Sequence, residues 1–127
     1  KRQPMGIDID LLGNLYVADV YNHRIQKFDA NGNYKLTWGT SGEENSQFKT
    51  PYAVATDIFG FVYVTDSVNH RIQKFTSLGK FITKWGSEGN AEGEFKSPRG
   101  IAVDGYGNVY VSDFENHNIQ KFRITYD

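Results

Sequence analysis

The chain has 127 residues, 14 basic and 15 acidic, for a formal net charge of −1. That length supports one domain or one stack of small repeats, the near-neutral charge argues against a dedicated nucleic-acid binder, and the lack of cysteine excludes disulfide scaffolds, thiol nucleophiles and thiolate metal sites. Aromatics at 15% with 13 glycines and only 3 prolines point to β-structure with tight turns, and no apolar run approaches the roughly 18 residues of a membrane span.

Pro4, Pro51 and Pro98 recur every 47 residues, and the other landmarks keep that period without a gap. Asp10, Asp57 and Asp104 align, as do Tyr16, Tyr63 and Tyr110, and the pairs Asn22-His23, Asn69-His70 and Asn116-His117. A fixed period of this length signals an array or a propeller. The repeats are read as 4–50, 51–97 and 98–127, the third truncated, all within a single repeat domain.

Each repeat reads as short strands between turns. In the third, Gly100–Asp104 is a strand, Gly105–Asn108 a turn and Val109–Asp113 a second, β-branched strand. Phe114–His117 is then a loop and Asn118–Phe122 a third strand. In the first two repeats a turn at Asn31-Gly32-Asn33 or Leu78-Gly79-Lys80 leads to a fourth strand ending at Trp38 or Trp85. A polar, Gly- and Glu-rich connector runs on to the next proline. No window holds a sustained 3.6-residue apolar period, so helix is not expected. Leu15 and Val17 point to one face and Tyr16 and Ala18 to the other, as in a strand covered on both sides. Antiparallel strands repeated in this way make an all-β fold of β-propeller blades, three in number with the last incomplete.

The run Asn-His-Arg-Ile-Gln-Lys-Phe at 22–28 and again at 69–75 resembles the signature of NHL-repeat propellers. The surrounding Pro-x-Gly/Ala-Ile/Val, Asp, Gly-Asn-x-Tyr-Val-x-Asp pattern fits as well. The third copy departs from it, with Asn118 in place of Arg. The near-identical repeats resemble bacterial or archaeal members in style. The resemblance implies a six-bladed ring in most relatives, of which this arc is half. It leaves function open: relatives bind proteins or RNA, act as extracellular sensors, or in a minority are lyases or hydrolases. An extracellular or cell-surface setting is favoured.

The three copies can be compared with one another. Residues present in every copy are expected to serve the blade. His23, His70 and His117 are the only histidines, but equivalent loops of successive blades stand too far apart to share an ion, so no metal and no cofactor is expected. Asp19, Asp66 and Asp113 stand five residues before Arg24, Arg71 and Asn118, a spacing that pairs each Asp and Arg across a hairpin rather than building an acid–base centre. Asn22, Asn69 and Asn116 belong to the same structural motif. Asp10, Asp57 and Asp104 are assigned to turns. Asp29-Ala30-Asn31-Gly32 resembles the start of a calcium loop but lacks its closing acid, and is read as a hairpin turn. Trp38 and Trp85 are read as filling gaps between blades.

Variable loop positions carry the functional expectation. Met5, Tyr52 and Arg99 follow the three prolines and are placed at the rim of the central channel, just before the innermost strand. Tyr21, Phe114 and Glu115 lie in the loop before Asn-His, on the same face. This aromatic rim suits a protein or peptide partner. The expected function is therefore a non-catalytic binding module. The alternatives are a propeller lyase or hydrolase with a channel metal, for which the lone inner-strand Asp8 is the nearest candidate, and an RNA-binding NHL domain, which wants more basic residues than Arg99 at the rim. An arc of blades exposes apolar faces such as Leu15, Tyr16 and Val17, or Val109, Tyr110 and Val111. Two chains are expected to close one ring as a homodimer, with Lys1–Gln3 the candidate for a stray edge strand, unless the chain is a fragment of a longer propeller.

Overall fold

The computed structural model describes residues 4–125. Its strands are β1 (Pro4–Ile9), β2 (Leu15–Asp19), β3 (Arg24–Phe28), β4 (Tyr34–Trp38), β5 (Thr40–Ser41), β6 (Gln47–Phe48), β7 (Pro51–Thr56), β8 (Val62–Asp66), β9 (Arg71–Phe75), β10 (Phe81–Trp85), β11 (Pro98–Val103), β12 (Asn108–Asp113) and β13 (Asn118–Arg123). β1 to β4 form one antiparallel four-stranded meander, blade 1, and β7 to β10 form blade 2. Blade 3 has three strands, β11 to β13. The strand stretch proposed for Lys1–Gln3 lies outside the described residues. The one helical element among them is a 3-10 turn at Val20–Asn22.

The turns follow from side-chain chemistry. Asp10 Oδ1 accepts the N–H groups of Leu12 and Asn14, and its Oδ2 accepts the Tyr16 hydroxyl. Asp57 and Asp104 repeat this arrangement with Tyr63 and Tyr110. Each Asp thus shapes its own turn and ties it to a tyrosine of the next strand. Asp29 likewise accepts from the Asn31 and Asn33 N–H groups, which makes that stretch a hairpin turn. Four hydrogen bonds around Asp104, led by the Asn108 amide, hold its carboxyl down at about 2.

The core lies between blades. Tyr16, Ala18 and Ile25 of blade 1 meet Val54, Val62, Val64 and Phe75 of blade 2, with Trp38 packed against them. The equivalent residues Tyr63, Ile72, Val109 and Val111, with Trp85 and Phe122, fill the gap between blades 2 and 3. The tryptophans are therefore wedges between sheets, with Trp38 at 5.5 Å from Phe75 and Trp85 at 5.4 Å from Phe122. Tyr16, Val109 and Val111 are fully buried in these gaps and do not face outward, contrary to the expectation from the sequence. The open face of blade 1 carries the half-buried Leu15 and Val17 instead, and that of blade 3 carries Tyr110. Strand alternation sends successive side chains to opposite faces, so only alternate members of each apolar trio could be exposed.

The connectors are more ordered than their Gly- and Glu-rich composition implies. β5 and β6 form a short parallel pair inside the first, and Glu88 and Phe95 form the matching bridge in the second. Each delivers a fully buried phenylalanine, Phe48 or Phe95, to the next blade.

Candidate functional site

The three prolines pair with the three aspartates at the ends of the second strands, Pro4 with Asp19, Pro51 with Asp66 and Pro98 with Asp113. This register brings the starts of the inner strands and the loops after the second strands to one end of the blades. The strands begin at the prolines themselves, so Met5, Tyr52 and Arg99 lie within β1, β7 and β11 rather than ahead of them. The ladder slips just after each proline, between Pro4 and Gly6, Pro51 and Val54, and Pro98 and Gly100. A bulge re-aims the side chains it carries, and here those are the three rim positions.

Three of the six rim candidates come together. The Arg99 guanidinium lies over the Phe114 ring at 4.1 Å and over the Tyr52 ring at 4.7 Å. Its Nε donates to Ser97 Oγ at 3.2 Å, and the Phe114 N–H donates to the Ser97 carbonyl at 2.9 Å. Ser97 Oγ in turn meets Ser67 Oγ at 3.1 Å, so the trio rests on a joint between blades 2 and 3. Phe114 is 60% exposed. Met5 and Tyr21 are exposed on blade 1, and Glu115 is exposed beside Phe114. Arginine stacked on aromatic faces keeps most of its donors for a partner.

The recurrent Asp-Asn-His-Arg residues form a structural clamp. Asp19 accepts from Arg24 Nε at 2.9 Å and from the Asn22 amide at 3.1 Å. Asp66 accepts from Arg71 Nε at 2.7 Å, from Asn69 and from the Lys49 N–H of the preceding connector. Arg71 also donates to the Glu43, Glu44 and Gln47 carbonyls. Asp113 accepts the N–H groups of Lys96, Ser97, Glu115 and Asn116, while Asn118, in the arginine position, is not among its partners. Burial pushes the Asp113 carboxyl up, but these N–H groups outweigh it and hold the group below its usual range.

The histidines sit in left-handed backbone, with φ of 53° at His23, 59° at His70 and 55° at His117. His23 Nδ1 accepts the Thr50 N–H, whereas His70 Nδ1 lies 2.7 Å from the Lys96 carbonyl, a contact that requires its proton there. His23 and His70 thus bind the connector that follows their blade, while Arg71 binds the one that precedes it. Among the described residues no group of three or more His, Asp or Glu side chains is placed to hold a metal ion. Asp8 Oδ2 accepts the Thr56 N–H at 2.8 Å and its hydroxyl at 3.1 Å, joining the inner strands of blades 1 and 2.

The sequence reading missed Gln73 and Gln120. Gln73 is fully buried, accepts the Ser46 N–H and donates to the Gln47 carbonyl and to Asp66. Gln120 accepts the Gly93 N–H and donates to the Glu94 carbonyl. The available signal was the repetition of an uncharged polar Gln at the centre of each Ile-Gln-Lys-Phe strand.

Comparison with known proteins fits this architecture. The NHL repeat family matches residues 2–28 and 95–122. Among curated proteins, the protein brain tumor of Drosophila melanogaster is 38% identical over 52 residues, which are 41% of this chain and 5% of that protein. Among solved structures, a chain of the nidogen/laminin complex superposes with a TM-score of 0.69 at 19% identity, over 94% of this chain and 48% of that one. Virginiamycin B lyase of Staphylococcus aureus gives 0.61 at 15% identity, over 97% and 42%. The chain spans less than half the length of each of these relatives. Two segments of the chain match NHL repeats, and its sheets are β-propeller blades.

Proposed function

We propose that this arc is a non-catalytic NHL propeller module that binds a protein or peptide through the rim formed by Met5, Tyr21, Tyr52, Arg99, Phe114 and Glu115. The observation that carries this reading is the convergence of Tyr52, Arg99 and Phe114, three positions that vary between repeats, on one inter-blade joint. The recurrent aspartates, by contrast, are committed to hydrogen bonds that build the turns, hairpins and connectors. Aromatic and arginine side chains held rigidly on a scaffold are the residue types that dominate interface energetics. The similarity to a chain from the nidogen/laminin complex supports a binding role by analogy of fold alone. Among the described residues no helix is long and apolar enough to cross a membrane.

Panning a random peptide library on the immobilised protein tests the reading. A consensus retained by the wild type and lost by Tyr52→Ala, Arg99→Ala and Phe114→Ala supports it. Equal selection by wild type and variants overturns it.

Further blades covering the open faces of blades 1 and 3 complete the picture, whether from a second copy that closes a six-bladed ring or from a longer polypeptide. The half-buried Leu15 and Val17 on one end and Tyr110 on the other support such coverage. Light scattering separates the two sources, since a homodimer predicts twice the 14.4 kDa chain mass.

A further inference from the structure

The end of the blades away from the rim carries apolar side chains where turns ordinarily carry polar ones. The inner ladders run from Pro4, Pro51 and Pro98 at the rim to the pairs Ile9–Leu15, Thr56–Val62 and Val103–Val109 at the far end. There each blade turns from its first strand into its second. The two tip residues of these turns are Leu11-Leu12, Ile58-Phe59 and Gly105-Tyr106. Leu12 is 84% exposed, Phe59 62% and Tyr106 83%. Blade 2 is packed on both sides, so the exposure of Ile58 and Phe59 does not come from standing at an end of the arc.

Nothing in the turn itself asks for these side chains. Its shape comes from the Asp that accepts the N–H of the second tip residue, Leu12, Phe59 or Tyr106. The hairpin at Asp29 makes the same bond with Ala30 and Asn31 at its tip. Apolar tips thus keep hydrophobic area in water without serving the core. The Asp-bonded turns hold them in place, so little order is lost when a partner covers them. Leu11, Ile58 and Gly105, the first tip residue of each blade, share one cleft of about 250 Å³ with Asp8, Asp57 and Asp104, and no residue lining it is basic. Asp8 gives its Oδ2 to Thr56, and its Oδ1 accepts no hydrogen bond among the described residues. Its copies are Ala55 and Ala102, so this carboxylate is no part of the recurring blade.

We infer that this turn face is a docking surface for a protein segment that places a lysine or arginine side chain in the cleft and apolar side chains on the turn tips. It lies at the opposite end of the blades from the rim and does not rest on the rim reading. Charge selects a protein over a lipid surface. Three carboxylates beside the tips repel the anionic headgroups that hold peripheral proteins to membranes, whereas a cationic side chain gains from each of them.

Two libraries of short displayed peptides, one with lysine fixed at the centre and one with glutamate, are panned on the whole protein. Enrichment of the lysine library, with apolar residues beside the lysine, is expected. The enriched peptide, synthesised with a fluorescent label, is then the probe for anisotropy titrations. Ile58→Ser and Phe59→Asn should each weaken its binding about tenfold, the scale of one apolar side chain left uncovered. Both replacements already stand at tips of this protein's other turns, as Ser77 and Asn31. Asp8→Asn should weaken binding about fivefold at low salt and less at about 0.5 M salt, where charges are screened. Arg99→Ala should leave it unchanged, which separates this face from the rim. Enrichment of neither library overturns the inference, as does preference for the glutamate library or a probe indifferent to Phe59→Asn. Sedimentation of the wild type with phosphatidylcholine vesicles, lost in Phe59→Asn, also overturns it, because the tips would then serve a lipid surface.

Discussion

Replacing Gln73 by Ala should destabilise the protein far more than the same change at Gln26, although both occupy the same place in an identical heptapeptide. Gln73 is fully buried and makes three hydrogen bonds, at 3.0 Å with the Ser46 N–H, 2.7 Å with the Gln47 carbonyl and 3.1 Å with Asp66. A net contribution of about 1 kcal/mol per bond gives a loss of about 3 kcal/mol. The stranded Ser46 N–H keeps the value from falling much lower. Gln26 has no such bonds among the described residues, so its truncation should fall within about 0.5 kcal/mol of wild type. Urea unfolding followed by the fluorescence of Trp38 and Trp85 measures both. With a slope of roughly 1.5 kcal/mol per molar, Gln73→Ala should lower the midpoint by about 2 M and Gln26→Ala by a few tenths. Equal midpoints for the two variants would show that the connector grip adds nothing to stability, and the account of the interface would fail.

Gly6→Ala should cost about 1–3 kcal/mol in the same assay, because a Cβ there would meet Ala53 Cα at 2.5 Å and force the inner strands apart. Asp8→Ala should cost about 1–2 kcal/mol through the lost Thr56 bonds, and unchanged stability would return Asp8 to the list of residues kept for chemistry. Acid should destabilise the fold: Asp104 and Asp113 have folded-state pKa values below their unfolded ones, so their contribution is present above the usual carboxylate range and is lost as pH falls through the folded values, about 2 for Asp104. Urea midpoints between pH 5 and 2 should fall monotonically, and Asp113→Asn should flatten that fall. Arg99→Ala should change stability by no more than about 1 kcal/mol, since cation–aromatic contacts open to solvent are weak.

The period and its punctuation made the blades legible from sequence. Asp10, Gly13 and Tyr16 with their copies mark the turns because turn chemistry is local, and a residue's partner lies within six positions. The Asp19–Arg24 pairing was readable for the same reason. What stayed hidden is the set of bonds that cross between blades. Arg71 reaches back 24 to 28 residues and His70 reaches forward 26. Repetition reveals that such residues are fixed but not what they hold. The bulges were hidden too, because a one-residue slip in a ladder leaves no mark on an alternating pattern. The stacking of Arg99 on Tyr52 and Phe114 was hidden as well, since each of these residues is unlike its counterparts in the other repeats.

Because blade 2 grips the connector before it through Arg71 and Gln73 and the one after it through His70, a newly duplicated 47-residue unit of this kind would fit its neighbours at once. Copying the gene segment in register copies both halves of the joint, so no compensating mutation is needed for the array to lengthen. Selection then acts separately on the two sets of positions. Drift at Gln73 or Arg71 is penalised through folding, whereas the side chains of Tyr52, Arg99 and Phe114 chiefly stack on one another and differ from copy to copy. The distribution of sameness and difference along this chain is what such a history would leave.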